Sequence, residues 1–100
     1  MLPKNRPPTH PGEVLLEEYL KPLGMTQTKL AKKLGVPVQR VNQLINGKRG
    51  ITAETAVLLA RTLKGDPQFW MDLQSQYDLW FAMRALGWSQ ATGRRRSAHD

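Results

Sequence analysis

Apolar residues return every three to four positions along most of this chain, and proline, glycine and capping residues cut the pattern into five blocks. The first block opens at HPGE. Pro11 suits a first helical turn because its missing N–H would lie unpaired there, Glu13 sits at the positive helix end, and His10 reads as the cap. The spacing predicts a helix to about Leu20 or Lys21, with Leu16, Leu20 and Leu23 on one face, Glu13, Glu17 and Glu18 outward, and Pro22 and Gly24 closing it. A second helix follows the Thr26 cap and buries Leu30, Ala31 and Leu34. A third begins near Pro37 or Val38 and stops at Asn46-Gly47, turning Val41, Leu44, Ile45 and part of Val38 inward. Thr52 caps a fourth, from Ala53 to Lys64, with Ala56, Val57, Ala60 and Leu63 facing in and Gly65 ending it. Asp66-Pro67 starts a fifth, where Phe69, Trp70, Leu73, Tyr77, Trp80 and Phe81 recur at helical spacing and periodicity fades beyond Leu86. The expected fold is all-α with five helices.

The second and third blocks have the steric pattern of a helix-turn-helix. Ala31 is small enough for two helices to cross closely, Gly35 supplies a left-handed backbone without a Cβ clash, and Val41 and Leu44 turn the third helix back onto the second. Gln39, Arg40, Asn42 and Gln43 then project outward. Gln39 and Gln43 lie four apart, on one side of the helix, and glutamine and asparagine pair bidentately with adenine as arginine does with guanine. In the following GKRGIT loop, Lys48 and Arg49 sit beside backbone amides freed by Gly47 and Gly50, which suits phosphate contact. Gln27, at the start of the second helix, can grip a phosphate with its amide and the local N–H groups. This is no P-loop, since the GxxxxGK[ST] pattern is absent and no strand precedes it.

Charge strengthens the nucleic-acid reading. The net charge is +7, and from Thr26 to Gly50 there are six basic residues, Lys29, Lys32, Lys33, Arg40, Lys48 and Arg49, and no acid. From Pro11 to Met25 three glutamates outnumber the single Lys21. A polyanion is the natural partner of the basic block. One hundred residues make one small domain, too short for a large enclosed catalytic cleft. With no cysteine, two remote histidines and no nucleophile spaced with a base, an enzyme is the weakest reading, and no cofactor or metal is expected. Apolar runs are too short for a membrane span, and the N-terminus lacks a signal-peptide core. The organisation expected is an extended basic arm over residues 1–9, a helix-turn-helix domain over 10–86, and a flexible basic tail over 87–100. Core packing is the default reading of the aromatic stripe of the fifth helix, but the stripe is wider than one face of a small bundle requires, so part of the set Phe69, Trp70, Leu73, Tyr77, Trp80 and Phe81 is expected to meet a second chain in a homodimer.

Over roughly residues 9–82 the chain resembles the HigA-type antitoxins, also called virulence-associated protein I, of the Xre/Cro helix-turn-helix group. The likeness rests on HPGEVLLEEYLKPLGMTQTKLAKKLGV, NGKRGITAETAVLLARTL and above all DPQFWMDLQSQYDLW. It implies a five-helix, cytoplasmic dimer that binds a palindromic operator in its own promoter and partners a HigB-type toxin, itself similar to RelE, which cleaves messenger RNA on the ribosome. Carried onto this chain, Gln27 matches the phosphate-contacting helix start. Val38, Gln39 and Gln43 match the base-reading positions, with Arg40 and Asn42 beside them, and Asn46, Lys48 and Arg49 match the backbone contacts. Val38 offers only apolar contact, as to a thymine methyl group. Pro37 departs from the Ser or Thr cap of many relatives: it still starts a helix, but removes a hydroxyl that could touch phosphate.

The leading expectation is a dimeric repressor and antitoxin, each subunit placing its third helix in the major groove of one half-site. A stand-alone regulator without a toxin, and a protein-interaction module using the basic face and the aromatic helix, are the alternatives. Because the family's toxins are typically basic, the surface expected to meet one is the acidic side of the first helix, Glu13, Glu17 and Glu18.

Overall fold

The computed structural model describes residues 6–89, with Ser89 and the later pair Arg94 and Arg95 described by backbone alone. The first helix, α1, has three consecutive pieces: Pro11–Val14, Leu15–Leu20 in π geometry, and Lys21–Leu23. His10 caps it, its backbone extended and its Nδ1 accepting the Gly12 N–H at 2.9 Å. In the wide turn the Lys21 N–H reaches the Leu16 carbonyl, five residues back. This turn directly precedes Pro22, whose ring would crowd the Glu18 carbonyl in a regular helix.

The extra residue resets the buried face. Leu15 and Leu20, five apart, are 0% and 2% exposed, whereas Leu23 is 60% exposed and Leu16 half-buried. The expected face of Leu16, Leu20 and Leu23 assumed an uninterrupted 3.6-residue repeat, and the π turn moves it. Pro22 lies inside the last turn, and termination falls to Gly24 alone, at φ 63°.

The helix-turn-helix follows its sequence pattern. Helix α2, Gln27–Leu34, is capped by Thr26, whose Oγ1 accepts from Lys29 N at 3.0 Å, and buries Leu30, Ala31 and Leu34. Gly35 stops it at φ 75°, a left-handed conformation that costs other residues about 1 kcal/mol or more. Helix α3, Val38–Ile45, buries Val41 and Leu44 against it.

Helix α4, Ala53–Leu63, is capped by Thr52 and buries Thr55, Ala56, Leu59 and Ala60. Val57, expected inside, is exposed, and Leu59 takes the core position. The AVLLA run allows either face by hydropathy; the inward one is chosen because Thr55 shares a hydrogen bond with Thr52 Oγ1 and so can be buried.

Helix α5, Pro67–Ala85, starts at the Asp66 cap, whose Oδ1 accepts from Gln68 N at 2.9 Å. At its N-terminal end Trp70 is 2% exposed and packs in a tilted ring pair, centroids 5.2 Å apart, with Tyr19 of α1. One core therefore joins all five helices through Leu15, Leu30, Val41, Leu59 and Trp70, each such side chain contributing about 2 kcal/mol on burial.

The five-helix, all-α body agrees with the sequence pattern. After it, Trp88–Ser89 (β1) pairs antiparallel with Arg94–Arg95 (β2), within the stretch expected as a tail. Residues 90–93 and 96–100 of that stretch, and 1–5 of the expected N-terminal arm, lie outside the described residues. Among the described residues no helix is long and apolar enough to cross a membrane.

Candidate nucleic-acid interface

Helix α3 is fixed from beneath by an unusually close approach. A Cβ added to Gly12 would lie 1.8 Å from the Leu44 carbonyl oxygen, so the start of α1 touches the backbone at the C-terminal end of α3. Pro11, beside it, is fully buried. The HPGE segment thus has a steric role: a cap, a rigid buried first turn, a residue without a side chain against α3, and an exposed glutamate.

Outward from α3, Gln39 and Gln43 are exposed, while Val38, Arg40 and Asn42 are half-buried. Asn46, Lys48 and Arg49 continue the exposed surface into the loop, and Gln27, half-buried, heads α2. With Thr26 Oγ1 engaged by Lys29 N, the first amides of α2 retain no intrahelical acceptor, which leaves them suited to an anion. Among the described residues, Gln39 makes no side-chain hydrogen bond.

Three other polar residues of this surface are already engaged. Arg40 Nη2 donates to Glu54 Oε1 and to Thr55 Oγ1, each at 3.2 Å. It braces α3 against the first turn of α4, and its side chain is only 28% exposed. Arg49 Nε donates to Gln43 Oε1 at 3.2 Å.

The loop carrying Lys48 and Arg49 is fastened on both sides. Lys48 N donates to the Gln43 carbonyl at 2.8 Å, and Ile51 N donates to Gln74 Oε1 at 2.6 Å. Gln74 comes from α5 and is 9% exposed; its Nε2 donates to Asp78 Oδ1 at 2.9 Å, so both ends of the amide are satisfied. A side chain at Gly50 would come within 2.9 Å of that amide.

Glu54, Thr55, Gln74 and Gly12 escaped the sequence reading. For Gln74 a signal existed: it is a polar residue one turn after Trp70, on the face that Trp70 buries. For Glu54 and Thr55 the pairing spans 14 and 15 residues, and no local pattern marks it.

The six aromatic and aliphatic residues of α5 divide. Trp70 belongs to the core, a correction to its expected place at a contact between chains. Trp80 is also buried, with the Arg84 guanidinium 5.0 Å from its ring centre. Leu73 and Tyr77 are half-buried, and Phe69 and Phe81 are exposed. Leu79, Leu86 and Trp88, absent from the expected set, are exposed as well. Glu13, Glu17 and Glu18 all face solvent on α1, and Glu17 pairs with Lys21 at 2.7 Å.

His10 joins α1 to α5, its ring edge-on to Tyr77 at 4.8 Å. Burial lowers its pKa below the ordinary histidine value, against the opposing pull of Asp78 and Glu13. The neutral ring is the one the cap requires, because Nδ1 must accept the Gly12 N–H.

The helix-turn-helix family profile matches residues 16–70. The chain is 51% identical over 73 residues to virulence-associated protein I of Dichelobacter nodosus, covering 73% of this chain and 68% of that protein. It is 43% identical over 75 residues to antitoxin HigA-1 of Vibrio cholerae, covering 75% and 70% of the two. Among solved structures it resembles the Pseudomonas aeruginosa antitoxin HigA with the higBA promoter, with a TM-score of 0.77, 41% identity, and 80% and 87% of the two chains covered.

Proposed function

The chain belongs to the helix-turn-helix family and, within it, to the HigA-type (virulence-associated protein I) group, and from that premise we propose that it is a sequence-specific DNA-binding antitoxin that acts as a dimer on its own promoter and neutralises a HigB-like, mRNA-cleaving toxin. The observation that carries the DNA reading is α3 itself. Its exposed Gln39 and Gln43 lie above a buried apolar face, and the Lys48–Arg49 loop beside them is fastened at both ends. Rigid readers flanked by cations on a protein of net charge +7 fit a duplex, and the Pseudomonas relative solved with promoter DNA supports the same use here.

In this reading Gln39 and Gln43 meet base edges with Val38 beside them, Gln27, Asn46, Lys48 and Arg49 meet the phosphate backbone, and Arg40 acts as a brace rather than a reader. Leu79, Phe81 and Leu86 of the α5 end meet a second copy. Glu13, Glu17 and Glu18 are the surface for the basic toxin, while no membrane is involved.

A competition titration tests the DNA part. Gln39→Ala with Gln43→Ala should remove most of the preference for promoter over scrambled duplex, whereas Lys48→Ala should weaken both alike and reduce the salt slope by about one. Retained preference in the double variant would refute the reading-helix assignment. For the toxin part, the neighbouring reading frame is expressed with and without this chain. Growth arrest relieved by the chain, with co-purification of the two, supports the antitoxin role; a partner that neither arrests growth nor binds argues for a regulator without a toxin.

A further inference from the structure

The two exposed glutamines of α3 differ in what they can recognise. A guanidinium N–H only donates, so the Gln43 atom facing Arg49 Nε at 3.2 Å is its carbonyl oxygen. The Nε2 amino group, on an exposed residue, has no hydrogen-bond partner among the described residues. Bidentate recognition of adenine by glutamine needs both atoms, the oxygen accepting from N6–H and the nitrogen donating to N7. Here one lone pair of the oxygen is occupied, and a cation beside the other repels the positive N6–H edge. With its oxygen held beside the Arg49 cation, Gln43 presents a surface of donors only, the N–H groups of Nε2. Guanine, with its N7 and O6 acceptors, matches that surface, whereas adenine, with an acceptor and a donor, does not. Gln39, one turn away, makes no such bond among the described residues and retains both donor and acceptor.

Resting on the reading of α3 as the base-contacting helix, we propose that Arg49 is a specificity-determining residue acting through Gln43: by holding the Gln43 oxygen, it turns an adenine-pairing side chain into one that selects guanine. The restraint does not depend on Arg49 alone, since its loop is anchored at Lys48 by the Gln43 carbonyl and at Ile51 by Gln74. Residue 49 is therefore delivered to Gln43 by the fold rather than found by it at random, and the bond precedes any contact with DNA.

The test is selection from duplexes with randomised half-sites, using the full chain, Gln43→Ala and Arg49→Ala. Gln43→Ala identifies the base pair that residue 43 contacts, as the one position where preference collapses. At that position the parent chain should select guanine over adenine by about tenfold, and Arg49→Ala should shift the preference toward adenine by a similar factor. Loss of the Arg49 charge will weaken all duplexes alike, but uniform weakening cannot move a base preference. Adenine selected there by the parent chain, or an Arg49→Ala profile with unchanged preference, overturns the proposal while leaving the reading helix in place. A parent chain with no base preference at any position overturns both.

Discussion

The surface of α3 and the far end of α5 both face outward, but they are built on opposite terms. Beneath α3 every neighbour is committed: Gly12 abuts the Leu44 carbonyl, Arg40 is held by Glu54 and Thr55, and the following loop hangs on Gln74. What emerges is polar side chains on a fixed backbone. Along the second half of α5 and just past it, Leu79, Phe81, Leu86 and Trp88 are 40–63% exposed. Under the proposed function the difference has a reason: a surface that is to discriminate gains from being held in place before it meets its ligand, and one that is to associate gains from uncovered apolar area.

The most damaging way to break this contrast is to disturb the support of α3. Gly12→Ala places a methyl group where only a backbone carbonyl fits, and backbone cannot rotate away as a side chain can. The variant should lose about 3 kcal/mol of stability, or fail to fold, by thermal or denaturant unfolding. Unchanged stability would mean that α1 does not approach α3 as described.

At the other end, Phe81→Glu tests the proposed contact with a second copy. A charge in a desolvated apolar contact should weaken self-association about a hundredfold, read by sedimentation across a dilution series, with little change in monomer unfolding. If Phe81 belonged to the core, the two properties would fall together. Separate responses sharpen the contrast.

Gln74→Leu comes next in size. It leaves the buried Ile51 N–H without a partner and should cost about 2 kcal/mol while loosening the Lys48–Arg49 loop. Hydrogen exchange at Ile51 should quicken more than at Leu30. Gln74→Glu does not rescue it, because a second carboxylate would face Asp78.

The same contrast explains what was legible in the chain. The helix-turn-helix end is governed by local rules, such as Thr26 as cap, Gly35 at positive φ and inward Val41 and Leu44, and each left its mark at the expected position. Failures came where a local repeat was broken or a long-range partner intervened. The π turn before Pro22 advanced the buried face of α1 by one residue, and the Thr52 and Arg40 bonds made Thr55 an inside residue, turning Val57 out. In α5 the first half packs into the core while the second half carries exposed apolar residues, so no single stripe describes it, and Trp70 and Phe81 looked equivalent until one was buried. The braces Arg40–Glu54 and Arg49–Gln43 had no signature, because a hydrogen bond between polar side chains leaves the hydrophobic pattern unchanged.

A pH titration probes the joint between the two regions. His10 caps α1 and packs on Tyr77, and burial lowers its pKa, so the unfolded chain binds a proton more readily than the folded one. Its contribution to stability is complete above the unfolded value of about 6.5 and is lost as pH falls through the lower folded value. His10→Asn can still cap but cannot titrate, so the melting temperature of this variant should vary less than that of the parent across the interval below pH 6.5. Equal slopes would show that His10 is not the group responsible.

The smallest effect concerns Glu54, an acid bonded to α3 through Arg40. Glu54 is 74% exposed on its side chain and holds Arg40 in an ion pair of the kind that contributes under about 1 kcal/mol. Its larger consequence is electrostatic, since it sets a negative charge beside a basic surface that would face phosphates. Glu54→Gln can still accept a hydrogen bond from Arg40 at the same site, so the brace survives while the charge goes. Stability should change by less than about 1 kcal/mol, and affinity for promoter and scrambled duplexes should rise equally, by about two- to threefold at low salt and less as salt is added. A gain confined to the promoter would mean that Arg40 reads bases once released, and would move it from the supporting layer into the reading surface. Equal gains place the division between the two layers at Arg40, with Gln39 and Gln43 above it.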